Sequence, residues 1–163
     1  MSRFRLPDLG SRGEGWVIGQ FILLGMVFLV SVPGIAHLVP DGVASWLALL
    51  GGSATLVGAG VVLALGVRGL GASLTPLPRP RDDAEMVDSG VYARIRHPIY
   101  GGLILAALGW AILTRSLPAI GIALLLAIFL DAKARREERW LLERYDAYPA
   151  YRRRTKRFLP GIY

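Results

Sequence analysis

The sequence contains no cysteine and no asparagine among its 163 residues, and only two lysines and two histidines. Without cysteine the chain has no disulfide, no thiolate metal ligand and no cysteine nucleophile. Without asparagine it has no N-glycosylation acceptor. The histidines, His37 and His97, lie sixty positions apart. A histidine metal site would therefore need carboxylates from unrelated segments, and we predict no bound metal.

Charged residues are also scarce, at 19% of the chain, against about 25% in an ordinary soluble domain. Hydrophobic residues make up 53%, and 19 Lys and Arg against 12 Asp and Glu give a net charge of +7. In a nucleic-acid-binding protein such bases are spread over a polar surface, whereas here long uncharged runs separate them. The composition is that of a membrane protein with no nucleic-acid partner.

Four apolar segments predict an all-α polytopic membrane protein with about four transmembrane helices. Residues 16–40 and 43–67 each give 25 residues without a formal charge, and about 20 suffice to cross a bilayer. Residues 99–114 and 116–130 are shorter, at about 24 Å of helix each. For this second pair, a buried helical hairpin of a soluble protein is the alternative. We expect the first two helices, joined at Asp41-Gly42, to form a tight antiparallel hairpin.

The distribution of basic residues predicts the orientation. With four spans, 18 of the 19 bases lie on one side, and Arg115 is the exception. Because Lys and Arg favour the cytoplasmic face, we expect both termini and the middle loop to be cytoplasmic. The arginine bias, with abundant Gly and Ala, is typical of a GC-rich prokaryotic genome and hence of a prokaryotic plasma membrane. The first apolar run is too long for a signal peptide.

We expect one domain over residues 1–163, made of a transmembrane hairpin (1–68), a cytoplasmic loop (69–98), and a helical hairpin with a cytoplasmic tail (99–163). In the second span Gly51, Thr55 and Ala59 recur every four residues. Such a stripe of small residues predicts close helix packing.

The first polar segment that can carry chemistry ends at the third helix. His97 precedes a proline and should be extended, while Pro98 suits the first position of a helix. The free N–H groups and positive dipole of that helix end, beside Arg94, Arg96 and His97, suit a carboxylate or a phosphate. The alternative is that these side chains are only interfacial anchors.

The second such segment continues the fourth helix. On a helical wheel one face carries Ala134, Glu138, Leu141, Leu142 and Tyr145. Glu138 therefore lies on the apolar side, where an acid needs a cationic partner, either Arg or a bound ligand. Glu137 follows Lys133 by four residues and can form an ordinary surface pair. The basic tail that follows, residues 152–157, is alternatively a strip that binds anionic lipid.

Together these two segments resemble the integral-membrane methyltransferases of the isoprenylcysteine carboxyl methyltransferase and phospholipid methyltransferase superfamily. The resemblance covers about the C-terminal half of the chain. It rests on four pieces in order: Ser89-Gly90-Val91-Tyr92, Arg96-His97-Pro98-x-Tyr100, Glu137-Glu138 followed by Leu141-Leu142, and the ending from Tyr151 to Pro160.

The resemblance implies a transferase that binds S-adenosylmethionine at the cytoplasmic membrane edge, which agrees with the absence of a dinucleotide-binding glycine motif. The spacer Tyr145-Asp146-Ala147-Tyr148 is one residue shorter than in relatives, so the resemblance assigns no role to Tyr148 or Tyr151. The choice between the two glutamates stays open. By position it implies these cofactor-binding residues: Met86, Val87, Tyr92, His97, Pro98, Ile99, Tyr100, Glu137 and Glu138.

Methyl transfer from a sulfonium needs alignment and exclusion of water more than acid catalysis. A carboxylate acceptor would be oriented by Arg96, with Lys133 as the second candidate. An amine would need His97 or a glutamate as base. We expect a lipid-like or small apolar acceptor that arrives from the bilayer between helices, methylated on a carboxylate, an amine or a thiol.

Two other functions compete with this hypothesis. One is an NADPH-dependent membrane reductase related to sterol reductases, which share a similar C-terminal fold. The other is a non-catalytic scaffold that binds lipid surfaces through its basic tail. The sequence does not indicate an oligomeric state.

Overall fold

The structure is a computed structural model that describes residues 9–36, 38–77 and 85–158. His37 lies outside the described residues. No β-strand occurs in these ranges, and the all-α prediction is confirmed. Short 3₁₀ turns follow the second long helix and precede the third. The helices are α1 (Glu14–Ile35), α2 (Val43–Leu70), α3 (Pro98–Leu113), α4 (Leu117–Arg144) and α5 (Tyr148–Arg154).

Three of the helices, α1, α2 and α4, are long and apolar enough to cross a membrane, and α3 is a shorter apolar helix. Large hydrophobic side chains such as Leu29 on α1, Val57 on α2 and Ile128 on α4 are more than two-thirds exposed. Such surfaces need lipid around them. The prediction of a polytopic membrane protein is therefore confirmed.

Two expected helix boundaries bear directly on the site. His97 lies at the N-cap of α3 and Pro98 is its first residue, as the sequence predicts. Helix α4 runs without a break to Arg144, so it extends about 21 Å past Leu130, the last residue of its apolar run. This extension forms one wall of the polar end of the molecule.

The packing order of the helices differs from the expected one. Helix α1 packs on α4, α4 on α3, and α3 on α2. The expectation of a tight pairing of α1 with α2 is wrong, because within the described residues these two helices make at most marginal contact. The reason is steric complementarity, since the small residues of α2 match those of α3.

Small residues seven positions apart let α2 and α3 approach closely. On α2 the buried positions are Ser45, Gly52, Ala59 and Gly66. A Cβ on Gly52 would lie 2.7 Å from the Leu113 backbone nitrogen, whereas a Cβ on Gly51 would meet nothing within 4 Å. The predicted stripe of Gly51, Thr55 and Ala59 is therefore wrong except at Ala59. Residues seven apart on an α-helix point within about 20° of the same direction, whereas residues four apart differ by about 40°.

Candidate functional site

A cavity of about 300 Å³ lies at the end of the bundle where α1 and α3 begin and α2 ends. The extension of α4, residues 73–77 and 85–97, and α5 complete its walls. Nine of the eleven candidate residues from the sequence line it: Met86, Val87, Tyr92, Arg96, His97, Ile99, Tyr100, Lys133 and Glu137.

The other two candidates, Pro98 and Glu138, do not line this cavity. Pro98 is buried against α2, where its ring would lie 3.3 Å from a Cβ on Gly66. Glu138 lies in a cluster of basic side chains. The structure thus assigns the two adjacent glutamates, which point about 100° apart around α4, to different surroundings.

Glu137 faces the cavity. Its Oε2 accepts a hydrogen bond of 2.7 Å from the Tyr100 hydroxyl and lies 3.7 Å from His97 Nδ1. The Tyr100 and His97 rings stack in parallel with centroids 5.4 Å apart, which fixes both groups beside the carboxylate. Because the Glu137 side chain is still 24% exposed, it presents negative charge to a ligand.

Glu138 is 2% exposed, as the helical wheel predicts, although Leu142 of the same predicted face is 37% exposed. One of its oxygens lies 3.0 Å from Arg96 Nε, and its other contacts join three more basic side chains to α4. Glu138 and the four basic side chains around it are called the Glu138 cluster. Their distances to the Glu138 carboxylate are 3.0 Å for Arg96, 3.2 Å for Arg152, and 3.3 Å for Arg157 and His97.

Lys133 is 1% exposed. Instead of forming a surface pair with Glu137, its ammonium donates to Gln20 Oε1 at 2.8 Å and to the Pro76 carbonyl at 3.2 Å. It also lies 4.9 Å from the centroid of the Tyr100 ring, within range of a cation–π contact. Gln20 lines the cavity and was not among the candidates. The available signal was a lone amide within an uncharged transmembrane run, where polar side chains are usually functional.

Arg96 is held by several partners besides Glu138. Its Nη1 donates to the Arg152 carbonyl at 3.0 Å and, over a very short contact, to the Thr155 carbonyl. The guanidinium therefore ties α5 and the tail to the start of α3. Of the two candidate residues for orienting an acidic acceptor, Lys133 lies closer to the helix bundle than Arg96 does.

The tail is paired with the segment before α3. The Arg96 N–H donates to the Lys156 carbonyl at 2.8 Å and the His97 N–H to the Arg157 carbonyl at 3.0 Å. Burial by itself would lower the pKa of Arg157, but its hydrogen bonds to Glu138 and Asp131 raise it above the ordinary value. The backbone pairing of residues 96 and 97 with the tail keeps α5 against the cavity.

Tyrosines of α5 complete the site. Tyr148 and Tyr151 both line the cavity, although the resemblance assigned them no role. The Tyr151 hydroxyl donates to the Tyr92 carbonyl at 2.8 Å, and burial raises the pKa of Tyr151 to about 12. The Tyr148 hydroxyl is buried and has no hydrogen-bond partner within the described part of the chain. A buried hydroxyl of this kind is a candidate contact for a ligand.

Comparison with known families identifies the class of membrane protein to which the chain belongs. Residues 46–148 match the model of the phospholipid methyltransferase family. Since this is more than half of the chain, the chain belongs to that family, and the resemblance found in the sequence is confirmed. The matched residues include every candidate site residue.

One curated relative is the cobalt-zinc-cadmium resistance protein CzcN of Cupriavidus metallidurans. It is 34% identical over 111 residues, which are 63% of this chain and 50% of the relative. The chain therefore spans about half the length of the curated relative that it matches.

Proposed function

We propose that this chain transfers a methyl group from S-adenosylmethionine to a hydrophobic acceptor in the membrane. The family supports membrane methyl transfer in general. The observation that carries the finer proposal is Glu137, a partly exposed carboxylate in a largely apolar cavity, held in place by Tyr100 and His97. An acid in such a position favours a cationic ligand.

The residues of the cavity fit this cofactor. Glu137 suits its positively charged methionine part, and the rings of Tyr92, Tyr145 and Tyr148 suit a purine, which stacks on aromatic side chains. The volume of about 300 Å³ lies at the lower end of the range for ligand pockets, roughly 300–1,000 Å³. When bound, S-adenosylmethionine supplies a methyl group on a sulfonium, which leaves as a neutral thioether.

The protein's own groups then hold the reactants in line and exclude water. Glu137 binds the positive charge, while Tyr100 and His97 orient Glu137. Lys133, buried beside Gln20, would orient an acidic acceptor. For an amine acceptor, His97 and Glu137 are among the lining groups that can take up its proton.

We propose that the acceptor enters between α1 and α2. Both helices contribute to the cavity, through Gln20 on one side and Val67 and Leu70 on the other. They pack on different partners, so close helix contact does not seal the space between them. Because basic residues favour the cytoplasmic side, we propose that the cavity lies at the cytoplasmic face of the membrane. Both termini of the single domain would lie on the same side.

Calorimetric titration of the detergent-purified chain with S-adenosylhomocysteine tests the cofactor, with NADPH as the parallel ligand. We expect micromolar binding of the first and none of the second. Binding of NADPH alone would favour a reductase and contradict the proposal. Absence of binding for both ligands, in a protein that circular dichroism shows to be folded, would also contradict the proposal.

Methyl-labelled S-adenosylmethionine with a membrane lipid extract tests the acceptor. We expect the label to enter the organic phase. Mild base then separates the acceptor classes, because it releases labelled methanol from a methyl ester and leaves N-methyl and S-methyl groups in place. Label confined to the aqueous phase would overturn the assignment of a hydrophobic acceptor.

A further inference from the structure

A second concave site lies beside the first, and the proposed function does not use it. It is a cleft of about 470 Å³, called here the basic cleft. Arg96 lines both sites, and the other residues of the cleft come from α4, α5 and the tail: Arg135, Arg152, Arg153, Thr155, Lys156 and Arg157.

The cleft concentrates positive charge. Six of its seven lining residues are cations, and no acidic residue lines it within the described part of the chain. Glu138 and Asp131 balance part of this charge from behind, through contacts with Arg152 at 3.2 Å and Arg157 at 2.5 Å. Arg153 and Lys156 are exposed and add two further charges. Like charges held this close repel one another, and a bound anion relieves that repulsion.

The guanidinium groups indicate which anion. Arginine donates in a planar fork that matches the oxygens of a phosphate. The Arg152 side chain remains 46% exposed, and that of Arg135 remains 57% exposed. Donors therefore stay accessible to a ligand in the cleft even where one edge of a guanidinium contacts a carboxylate.

The depth of the cleft in the membrane indicates the source of that phosphate. Arg135 follows Leu130, the last residue of the apolar run, by five residues, or about 7.5 Å along α4. The headgroup region begins directly outside the hydrocarbon core. Taking Leu130 as the edge of the hydrocarbon core places the cleft at the level of lipid phosphates. We infer that it binds the phosphate group of an anionic phospholipid of the adjoining leaflet.

The test is calorimetric titration of the full chain in a non-ionic detergent with dihexanoyl phosphatidylglycerol. Dihexanoyl phosphatidylcholine and inorganic phosphate are the parallel ligands. We expect the anionic lipid to bind, with phosphatidylcholine and inorganic phosphate at least tenfold weaker. Higher salt should weaken binding, because exposed charges are screened.

Two double variants locate the site. Arg153→Gln with Lys156→Gln removes two charges from the cleft without touching the side chains of the Glu138 cluster. We expect it to weaken phosphatidylglycerol binding by about an order of magnitude. Arg68→Gln with Arg94→Gln removes two exposed charges from the same end of the molecule, outside the cleft, and should leave the affinity unchanged. Helix content and gel-filtration profile check that each variant is folded.

Four results would overturn the inference. Equal affinity of the cleft variant and the unmodified chain, or no binding of phosphatidylglycerol at all, would exclude the cleft as a lipid site. Equal binding of phosphatidylcholine would show that negative charge is not recognised. Equal binding of inorganic phosphate would assign the cleft to a soluble phosphate instead of a lipid.

Discussion

The apolar bundle and the polar end of this molecule each contain a pair of identical neighbours with different surroundings. In the bundle, Gly52 packs against the backbone of α3 while Gly51 faces open space. At the polar end, Glu138 is enclosed by basic side chains while Glu137 faces a cavity. In both pairs a rotation of about 100° around the helix separates the roles. The physical consequence differs, because in the first pair it is steric and in the second electrostatic.

The largest effect is expected at Glu138. Replacing it with Ala leaves the buried Arg96 without its carboxylate and Arg157 with Asp131 alone, and breaking a buried pair typically lowers the free energy of unfolding by about 3–5 kcal/mol. Denaturation in detergent, monitored by circular dichroism, measures this loss in the free energy of unfolding. Glu143→Ala, at an exposed position of the same helix, is the matched control. A loss no greater than that of the control would show that the Glu138 cluster contributes little to stability.

The neighbouring acid should affect ligand binding instead. Glu137→Gln is expected to weaken S-adenosylhomocysteine binding by about 1.5–3 kcal/mol, the range for a hydrogen bond to a charged group. Stability should change far less than in Glu138→Ala, because Glu137 is partly exposed. Calorimetry of Glu137→Gln beside Glu143→Gln measures the difference. Unchanged affinity in Glu137→Gln would remove this residue from the proposed cofactor site.

Local sequence signals predicted much of this fold. The four apolar runs, the start of α3 at Pro98 and the continuation of α4 to Arg144 follow from composition and short-range patterns. The burial of Glu138 followed from a helical wheel. Each of these inferences needs only residues that are close together in the chain.

Long-range complementarity was not predictable in this way. The order of helix packing depends on how well distant surfaces fit, and a four-residue spacing gave the wrong face of α2. The bond from Lys133 to Gln20 joins residues 113 positions apart. The bridge between Ile95 and Lys156 pairs two short segments without a strand signal in either. These contacts decide which candidate residues face the cavity.

The glycine pair gives the next largest effect. Gly52→Ala forces a methyl group against the Leu113 backbone at 2.7 Å, and such overpacking is expected to lower stability by about 1–3 kcal/mol. Gly51→Ala adds a methyl group in open space, and the higher helix propensity of Ala should raise stability by up to about 1 kcal/mol. Thermal unfolding of both variants in the same detergent measures the contrast. Equal effects at the two positions would contradict the seven-residue packing face.

The smallest effect is expected at Tyr151, whose hydroxyl joins α5 to the segment before α3. Tyr151→Phe loses the hydrogen bond to the Tyr92 carbonyl. We expect its free energy of unfolding to fall by about 0.5–1.5 kcal/mol. Burial raises the pKa of Tyr151 to about 12, above the value of about 10 for an exposed phenol. The folded state therefore favours the protonated phenol, so this contribution is complete below pH 10 and is lost as the pH rises towards 12.

Unfolding curves of the unmodified chain and of Tyr151→Phe between pH 9 and 12 test this dependence. The stability of the unmodified chain should fall more steeply with pH than that of the variant. Some slope should remain in the variant, because burial also raises the pKa values of Tyr92 and Tyr148. Parallel curves would show that the Tyr151 phenol does not link α5 to the site, and the closure of the cavity would then depend on the backbone pairing of residues 94–97 with the tail.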